Sequence, residues 1–234
     1  MQKLHVVFAI DRAGLVGADG ETHQGLFDIS LFRPVPYIKI MSPASAKDLS
    51  VCLEYAVQSD KAVVIRYPKM SCPTEVPAFS EKAEEGRGVF VSAMDFEPSF
   101  AVQFEEQGSA RRILFVTTGG MYSEVLTASR SLSFDDVVCD IYSLRFIKPF
   151  DEKYFLDLAK NYDGIIFVED GIEIGGVSEY LARVCAENGI EKFAVKAFPS
   201  EFYHQGTRSQ VLAEAGLSPE DLRLAALKLL KIKK

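Results

Sequence analysis

Two arginines lie where predicted strands end, in the first third of the chain. Arg12 follows one apolar run and Arg66 lies near the end of another. Ligands of open parallel sheets bind outside the carboxyl ends of the strands, so both guanidinium groups are expected at one rim. A guanidinium binds phosphate or carboxylate with two parallel hydrogen bonds. The pattern predicts an anion clamp, and the alternative is that each arginine closes a structural ion pair, Arg12 with Asp11 or Asp28.

The loop that follows Arg12 carries a carboxylate and an imidazole. Asp19 and His23 are four residues apart, among glycines that let the backbone approach a ligand. Such a pair could hold substrate hydroxyls and transfer protons near neutral pH. The alternative is an Asx turn at Asp19 with His23 at a helix start, and the loop alone does not decide between them.

The elements that position these residues form a first α/β unit, residues 1–69. Three nearly continuous apolar runs, Leu4–Ile10, Tyr37–Met41 and Ala62–Tyr67, predict strands buried on both faces of a parallel sheet. Ser45 begins a helix between the last two runs. A strand–helix–strand unit with a right-handed crossover is expected.

Residues 70–108 predict a connector. Prolines, glycines and a charged stretch interrupt the periodicity, and only Val89–Ala93 and Phe100–Phe104 alternate like weak strands. A connector of this length is uncommon inside one compact domain, so it is expected to separate two.

Residues 109–234 predict a second α/β unit. Helix patterns separate the predicted strands Ile113–Thr117, Val137–Tyr142, Ile165–Val168 and Phe193–Ala197. The fold class is therefore α/β, with two three-layer parallel-sheet units.

Other polar signals in the second unit are weaker. Glu169 and Asp170 follow a predicted strand, but no His or Cys lies at ligand spacing, which favours a solvated or interface pair over a metal site. Gly119–Gly120 and Gly175–Gly176 indicate tight turns, because neither completes a phosphate-binding glycine motif. His204 remains ambiguous.

Composition excludes several classes of function. The 234 residues carry 26 Lys and Arg against 33 Asp and Glu, a net charge of −7, with no basic run suited to nucleic acid. No apolar run reaches the ~20 residues of a membrane span. The four cysteines are scattered, as in reduced cytoplasmic proteins, and lie at Cys52, Cys72, Cys139 and Cys185.

Six segments resemble one enzyme family. FAIDRAGLVGADGETHQGLFD, IMSPASAKDL and VVIRYPK, and later RFIKPFDE, FVEDGIEIGG and FPSEFYHQGT, resemble the 1-deoxy-D-xylulose-5-phosphate synthases, transferases of the transketolase type. The DRAG, GADG and THQG run is specific to that family. The resemblance covers nearly the whole chain except the connector.

The resemblance implies a reaction and roles for the four residues. The family condenses pyruvate with D-glyceraldehyde 3-phosphate, releasing CO2, to give 1-deoxy-D-xylulose 5-phosphate for isoprenoid, thiamine and pyridoxal synthesis. By motif, Arg12 and Arg66 would hold the phosphate, and Asp19 and His23 would contact substrate oxygens beside the cofactor. The intact enzyme would use thiamine diphosphate and Mg²⁺ and form a homodimer.

The chain departs from the family in one important respect. The diphosphate site needs a G-D-G followed by an asparagine, whereas the only asparagines here are Asn161 and Asn188 and no G-D-G occurs. The glutamate that activates the pyrimidine lies, in the family, upstream of the first strand of this chain. The expectation is a truncated pyrimidine-binding domain (1–69), a connector (70–108) and a transketolase C-terminal domain (109–234). No metal or cofactor site is expected on this chain, which should be inactive alone.

Truncation of the first sheet predicts an exposed edge and apolar face, and hence either strong self-association, with another copy covering that face, or partial disorder of residues 1–35. Two alternatives stay open: a non-catalytic α/β module for dimerisation or regulatory binding, and the beta subunit of a 2-oxoacid dehydrogenase.

Overall fold

The first sheet contains three parallel strands and one antiparallel strand. The computed structural model describes residues 4–98 and 111–232. The strand order is β1-β3-β2-β7, with β1 parallel to β3, β3 parallel to β2 and β7 antiparallel to β2. These strands are β1 Val7–Ile10, β2 Ile38–Met41, β3 Ala62–Arg66 and β7 Phe146–Lys148.

The helix α2 (Ala46–Gln58) provides the crossover from β2 to β3. Ser45 caps it, because the Ser45 hydroxyl accepts a hydrogen bond from the Asp48 N–H. Cys52 and Ala56 of α2 pack against Val63 and Ile65 of β3. A short helix, α1 (Asp28–Phe32), lies between β1 and β2.

The second sheet has the order β4-β6-β5-β8-β9. Only β4 is antiparallel to its neighbour; the other pairs are parallel. The strands are β4 Val89–Val91, β5 Arg111–Thr117, β6 Val137–Ser143, β8 Gly164–Ile172 and β9 Phe193–Phe198.

Helices cover both faces of the second sheet. Two separate apolar clusters fill the space between the sheet and its helices. The helices are α3 Ala93–Phe96, α4 Tyr122–Ser133, α5 Glu152–Ala159, α6 Val177–Glu187, α7 Arg208–Glu214 and α8 Pro219–Leu229. No described helix is both long and apolar enough to cross a bilayer.

The predicted α/β class with two sheet-based units is confirmed, but the sheets are mixed rather than wholly parallel. The connector supplies β4 to the second sheet, and β7 leaves the second unit to pair with the first sheet. The strand β4 lies within the predicted weak strand Val89–Ala93, whereas the three residues of β7 are too few to show a clear period. The predicted strand Phe100–Phe104 lies outside the described residues.

A buried arginine next to β7 links the second unit to the first unit and to the connector. Arg145, just before β7, donates from Nε to Asp48 Oδ1 of α2 at 2.6 Å. Its other nitrogens donate to the carbonyls of Phe79 and Glu81 in the connector, at 3.2 and 3.1 Å. The second unit is therefore bonded to both the first unit and the connector.

The strand β1 is an edge of the first sheet, as expected. Among the described residues it pairs only with β3. A groove of about 710 Å³, here called the β1 groove, opens on this edge. Its lining includes Phe8, Val35 and Tyr37, whose exposed fractions are 44%, 40% and 63%.

Candidate functional site

The loop 11–27 starts at the carboxyl end of β1 and is closed at its base by backbone hydrogen bonds. Gly14 and Gly25 exchange N–H···O bonds of 2.9 and 2.8 Å, and Ala13 donates to the Tyr67 carbonyl after β3. Gly14 has φ +72°, and a Cβ there would lie 2.5 Å from Asp170 Oδ2. The loop is thus held against both units, and only glycine fits at position 14.

Arg12, Asp19 and Lys69 form one ion-pair cluster at this rim. The Arg12 Nη1 donates to Asp19 Oδ2, and the Lys69 ammonium lies 3.0 Å from the same oxygen. The hydrogen bond from Lys69, with the charges of Lys69 and Arg12, lowers the pKa of Asp19. Asp19 is therefore an ionised acceptor. Arg12 makes no other hydrogen bond within the described residues, so most of its five N–H donors are available to an anion.

Arg66 ends β3 and is only 1% exposed. Its Nε donates to Asp28 Oδ2 at 2.7 Å, and its Nη1 donates to Asp170 Oδ1 at 2.6 Å. The Asp170 Oδ1 also accepts from the Thr118 hydroxyl at 2.7 Å. Burial opposes ionisation of Asp170, but the charge of Arg66, together with the hydrogen bonds from Arg66 and Thr118 and the charge of Arg208, outweighs it and lowers the pKa of Asp170. One buried ion-pair network therefore crosses from the first unit to the second.

Two atoms of this network have no hydrogen-bond partner. Arg66 Nη2 and Asp170 Oδ2 are buried and unpaired. A Cβ on Gly120 would overlap Asp170 Oδ2, so the tight turn after β5 must lack a side chain there. The unpaired N–H groups of Arg66 are donors that a ligand could use.

The structure places the two arginines of the predicted clamp in different surroundings. Parallel pairing of Ile10 with Arg66 does bring the ends of β1 and β3 to one rim. However, Arg12 is bonded to Asp19 in a part-exposed cluster, whereas Arg66 lies in the buried network. Asp28 pairs with Arg66 and not with Arg12. Asp11 lies 4.0 Å from Arg12 Nε, so both arginines have carboxylate partners, and the anion clamp stays a prediction.

A second loop, residues 203–207, holds the first loop in place. Gln24 exchanges two hydrogen bonds with the backbone of Tyr203, and Gln205 donates to the Ala18 carbonyl. His204 Nδ1 lies 3.0 Å from Glu21 Oε1. The THQG and FYHQGT segments, about 180 residues apart in sequence, thus form one structure, which assigns the ambiguous His204 to loop packing.

His23 is exposed at the end of a 3-10 turn, Glu21–His23. Its Nδ1 is 2.8 Å from the Thr22 hydroxyl. No hydrogen bond joins His23 to Asp19 in the described structure. The two side chains share one loop, and the charge of His23 contributes to the lowered pKa of Asp19.

Of the two alternatives for Glu169 and Asp170, the solvated pair is wrong, whereas Asp170 does lie at the interface between the two units. Both lie inside β8 and are 0% and 1% exposed. Glu169 accepts from the N–H groups of Val177 and Ser178 at the start of α6, at 3.0 and 2.8 Å. Burial raises the pKa of Glu169 to about 7 despite these bonds. Glu169 therefore caps a helix, whereas Asp170 joins the site.

Sequence reasoning missed Lys69 and Thr118 at this rim. Lys69 is three residues beyond Arg66 in IRYPK, which is the signal that could have found it. Ser42 follows β2, and its Oγ accepts hydrogen bonds from the Gly119 N–H at 3.1 Å and from Arg66 Nη1 at 3.3 Å. Nowhere in the described residues do three His, Cys, Asp or Glu side chains converge to hold a metal ion.

Two family models match the chain. The model "Transketolase, pyrimidine binding domain" matches residues 1–75. The model "Transketolase, C-terminal domain" matches residues 103–222, slightly more than half of the chain.

Curated relatives agree with these models. The chain is 45% identical over 219 residues to a 1-deoxy-D-xylulose-5-phosphate synthase of Treponema pallidum, covering 93% of the chain and 32% of the relative. A synthase of the same name from Natranaerobius thermophilus is 32% identical over 225 residues, covering 95% of the chain and 33% of the relative. The chain thus spans about a third of the length of these relatives.

A solved structure described as a "split gene transketolase, inactive beta4 tetramer" superposes with a TM-score of 0.80 at 23% identity. The match covers 99% of this chain and 69% of that one, and it supports the fold.

Proposed function

The chain belongs to the transketolase family, and on that basis we propose that it is the C-terminal part of a 1-deoxy-D-xylulose-5-phosphate synthase. The proposed reaction joins pyruvate to D-glyceraldehyde 3-phosphate with loss of CO2. The observation that carries the proposal is the rim where Arg12 and Asp19, on a loop that the FYHQGT segment holds in place, meet Lys69, which follows β3. Such a rim offers cations for a phosphate and polar groups for hydroxyls.

In this proposal the phosphate is bound by the arginines with help from Lys69. Arg12 binds the anion through its remaining N–H groups while Nη1 stays bonded to Asp19. Arg66 lies beneath and contributes the unpaired Nη2. The carboxylates of Asp28 and Asp170 hold the Arg66 guanidinium in place, so Arg66 also positions the site.

Asp19 and His23 would contact the hydroxyl and carbonyl oxygens of the substrate. Asp19 is ionised and accepts hydrogen bonds. His23 uses Nδ1 toward Thr22, which leaves Nε2 to exchange a proton with the substrate.

Thiamine diphosphate and Mg²⁺ do not fit the residues described here. The sequence lacks the G-D-G and asparagine of the diphosphate site, and the described residues contain no metal-binding cluster. We therefore assign the cofactor to parts of the intact enzyme outside this chain, and the chain alone should not catalyse the reaction.

Calorimetric titration tests whether this chain binds the substrate phosphate but not the cofactor. D-Glyceraldehyde 3-phosphate should bind, and Arg12→Gln should weaken binding by about 10-fold or more, because a charged hydrogen bond contributes roughly 1.5–3 kcal/mol. Thiamine diphosphate with Mg²⁺ should show no micromolar binding. Arg183→Gln, in an exposed ion pair of α6, is the matched control and should change nothing. Unchanged affinity in Arg12→Gln would refute the phosphate site. Micromolar binding of thiamine diphosphate would refute the assignment of the cofactor to parts of the enzyme outside this chain.

We also propose that the β1 groove is covered by a second copy of this chain. The related structure described as a beta4 tetramer supports assembly of chains of this kind. An unpaired strand edge beside exposed apolar side chains is a typical association surface.

Light scattering should therefore give about twice the chain mass of 25.9 kDa. Phe8→Glu places a charge in the β1 groove and should shift the mass to that of a monomer. Phe134→Glu is the matched control, because Phe134 is 87% exposed and lies away from the groove. A monomeric native chain, or a Phe8→Glu chain that still dimerises, would contradict the proposal.

A further inference from the structure

We propose that the groove between β9 and α8 binds an extended acidic segment of a partner protein, which adds to β9 as a further strand. This groove, here called the lysine groove, has a volume of about 820 Å³. It lies beside the second sheet, whereas the Arg12 rim lies at the end of the first sheet. The proposal does not depend on the proposed reaction.

Charge distribution gives the first argument. Four lysines line the groove, two near β9 and two near the end of α8: Lys192, Lys196, Lys228 and Lys231. None of the four forms an ion pair within residues 4–98 and 111–232. The Lys196 ammonium donates to the Gly216 carbonyl at 3.0 Å, but no carboxylate among the described residues balances its charge. A concentration of cations without ion pairs in a chain of net charge −7 favours a ligand with carboxylates.

The acidic groups of the groove do not cancel this charge. Asp221 is bound within its own helix start, where Oδ2 accepts from the Ser218 N–H at 3.0 Å and from the Ser218 hydroxyl. Glu191 is exposed at the entrance to β9. The four lysines therefore outnumber the two carboxylates, one of which already serves as a cap.

The apolar floor of the groove gives the second argument. Ala194 of β9 and Leu224, Ala225 and Leu229 of α8 lie between the lysines, and Leu224 is 52% exposed. Burial of this floor would add an apolar contribution to the ionic one. A flexible acidic chain can use both, since its backbone lies over the floor while its carboxylates reach the ammonium groups.

The free edge of β9 gives the third argument and fixes the conformation of the partner. Within the described residues β9 pairs only with β8. Ile165 of β8 donates to the Lys192 carbonyl, and Glu173 donates to the Phe198 carbonyl. Backbone groups alternate along a parallel strand, so those of Phe193, Val195 and Ala197 point outward. They can pair with an added strand.

Together these features predict the pattern of the partner segment. Successive side chains of an added strand point to opposite faces of the sheet. On one face they meet the lysines of the groove, and on the other they continue the surface of Phe193 and Val195, which are half-buried. The segment should alternate acidic and apolar residues over about six positions, the length of β9.

Fluorescence anisotropy with a labelled peptide of alternating Glu and Val tests the proposal on the full chain. We expect saturable binding that weakens as salt rises. A peptide of the same composition with its glutamates in one block, and an alternating Lys–Val peptide, should bind at least 10-fold more weakly. Equal binding of the block peptide would contradict strand addition. Absence of binding by the alternating Glu–Val peptide would overturn the proposal.

Charge reversal locates the site. Lys192→Glu with Lys228→Glu should weaken binding at least 10-fold. The matched control, Lys82→Glu with Lys153→Glu, makes the same change in net charge at exposed positions outside the groove and should have no effect. Equal losses in the two double variants would show general attraction and overturn the assignment.

Hydrogen exchange tests strand addition without relying on a variant. The outward amides of Phe193, Val195 and Ala197 should become protected when the alternating peptide binds. Val195→Pro removes one of these donors but no bond to β8, and it should reduce affinity. Binding without protection of these amides would refute the β-strand mode.

Discussion

Replacement of Arg66 by Met should lower the free energy of unfolding by about 3–5 kcal/mol, which is the usual cost of breaking a buried ion pair by removing one partner. The side chain is fully buried, and its loss would leave Asp28 and Asp170 without their cation. Chemical denaturation followed by circular dichroism measures the change. A two-state slope must be confirmed for the comparison to hold.

The size of this effect depends on burial, so an exposed ion pair is the proper control. Arg183→Met breaks the pair with Glu187, in which both side chains are 57% exposed, and it should cost less than about 1 kcal/mol. The double variant Arg66→Met with Asp170→Asn should recover part of the loss, because one uncompensated carboxylate is removed with the arginine. A loss below about 1 kcal/mol in Arg66→Met would show that the network is not buried between the two units.

Local chemistry made much of the fold predictable. Ser45 was identified as a helix start, and its side chain accepts a hydrogen bond from the backbone N–H of Asp48, three residues later. Apolar runs of four or more residues gave β2, β3 and β5 to within two residues at each end. These signals depend on neighbours in sequence, which explains why a single sequence reveals them.

Partners that are distant in sequence could not be predicted. Arg66 and Asp170 are 104 residues apart, and Arg145 and Asp48 are 97 apart. Glu169 and Asp170 end an apolar run, as solvated residues often do. In the structure β8 continues through them to Ile172, and an arginine and a helix start satisfy their charges. Only the tertiary fold supplies those groups.

The site was predicted in its location but not in its internal bonds. The parallel-sheet rule correctly placed Arg12 and the glycine-rich loop near the end of β3. It could not show that Asp19 binds Arg12 and Lys69, or that residues 203–207 hold the loop. The roles of Arg12, Asp19, His23 and Arg66 toward a substrate stay predictions, because they depend on a ligand.

The exchange of β4 and β7 between segments has an energetic consequence that can be tested at Arg145. This arginine is 3% exposed and bonds to Asp48, which is 0% exposed, and to two carbonyls of the connector. Burial raises the pKa of Asp48, while Arg145 opposes that shift and helps keep the carboxylate charged. The same residue therefore stabilises α2, the connector and the start of β7.

Arg145→Met should lower the free energy of unfolding by about 3–5 kcal/mol, and should also loosen the connector. Trypsin should then cleave after Lys82 or Arg87 faster than in the native chain, because the carbonyls of Phe79 and Glu81 lose their donor. Arg66→Met is the matched control, because it should lower the free energy of unfolding by a similar amount. In Arg66→Met, trypsin should cleave at these two sites only as fast as the whole molecule unfolds. Equal cleavage rates in the two variants at equal stability would contradict a local role for Arg145, since the connector would then open only when the whole molecule unfolds.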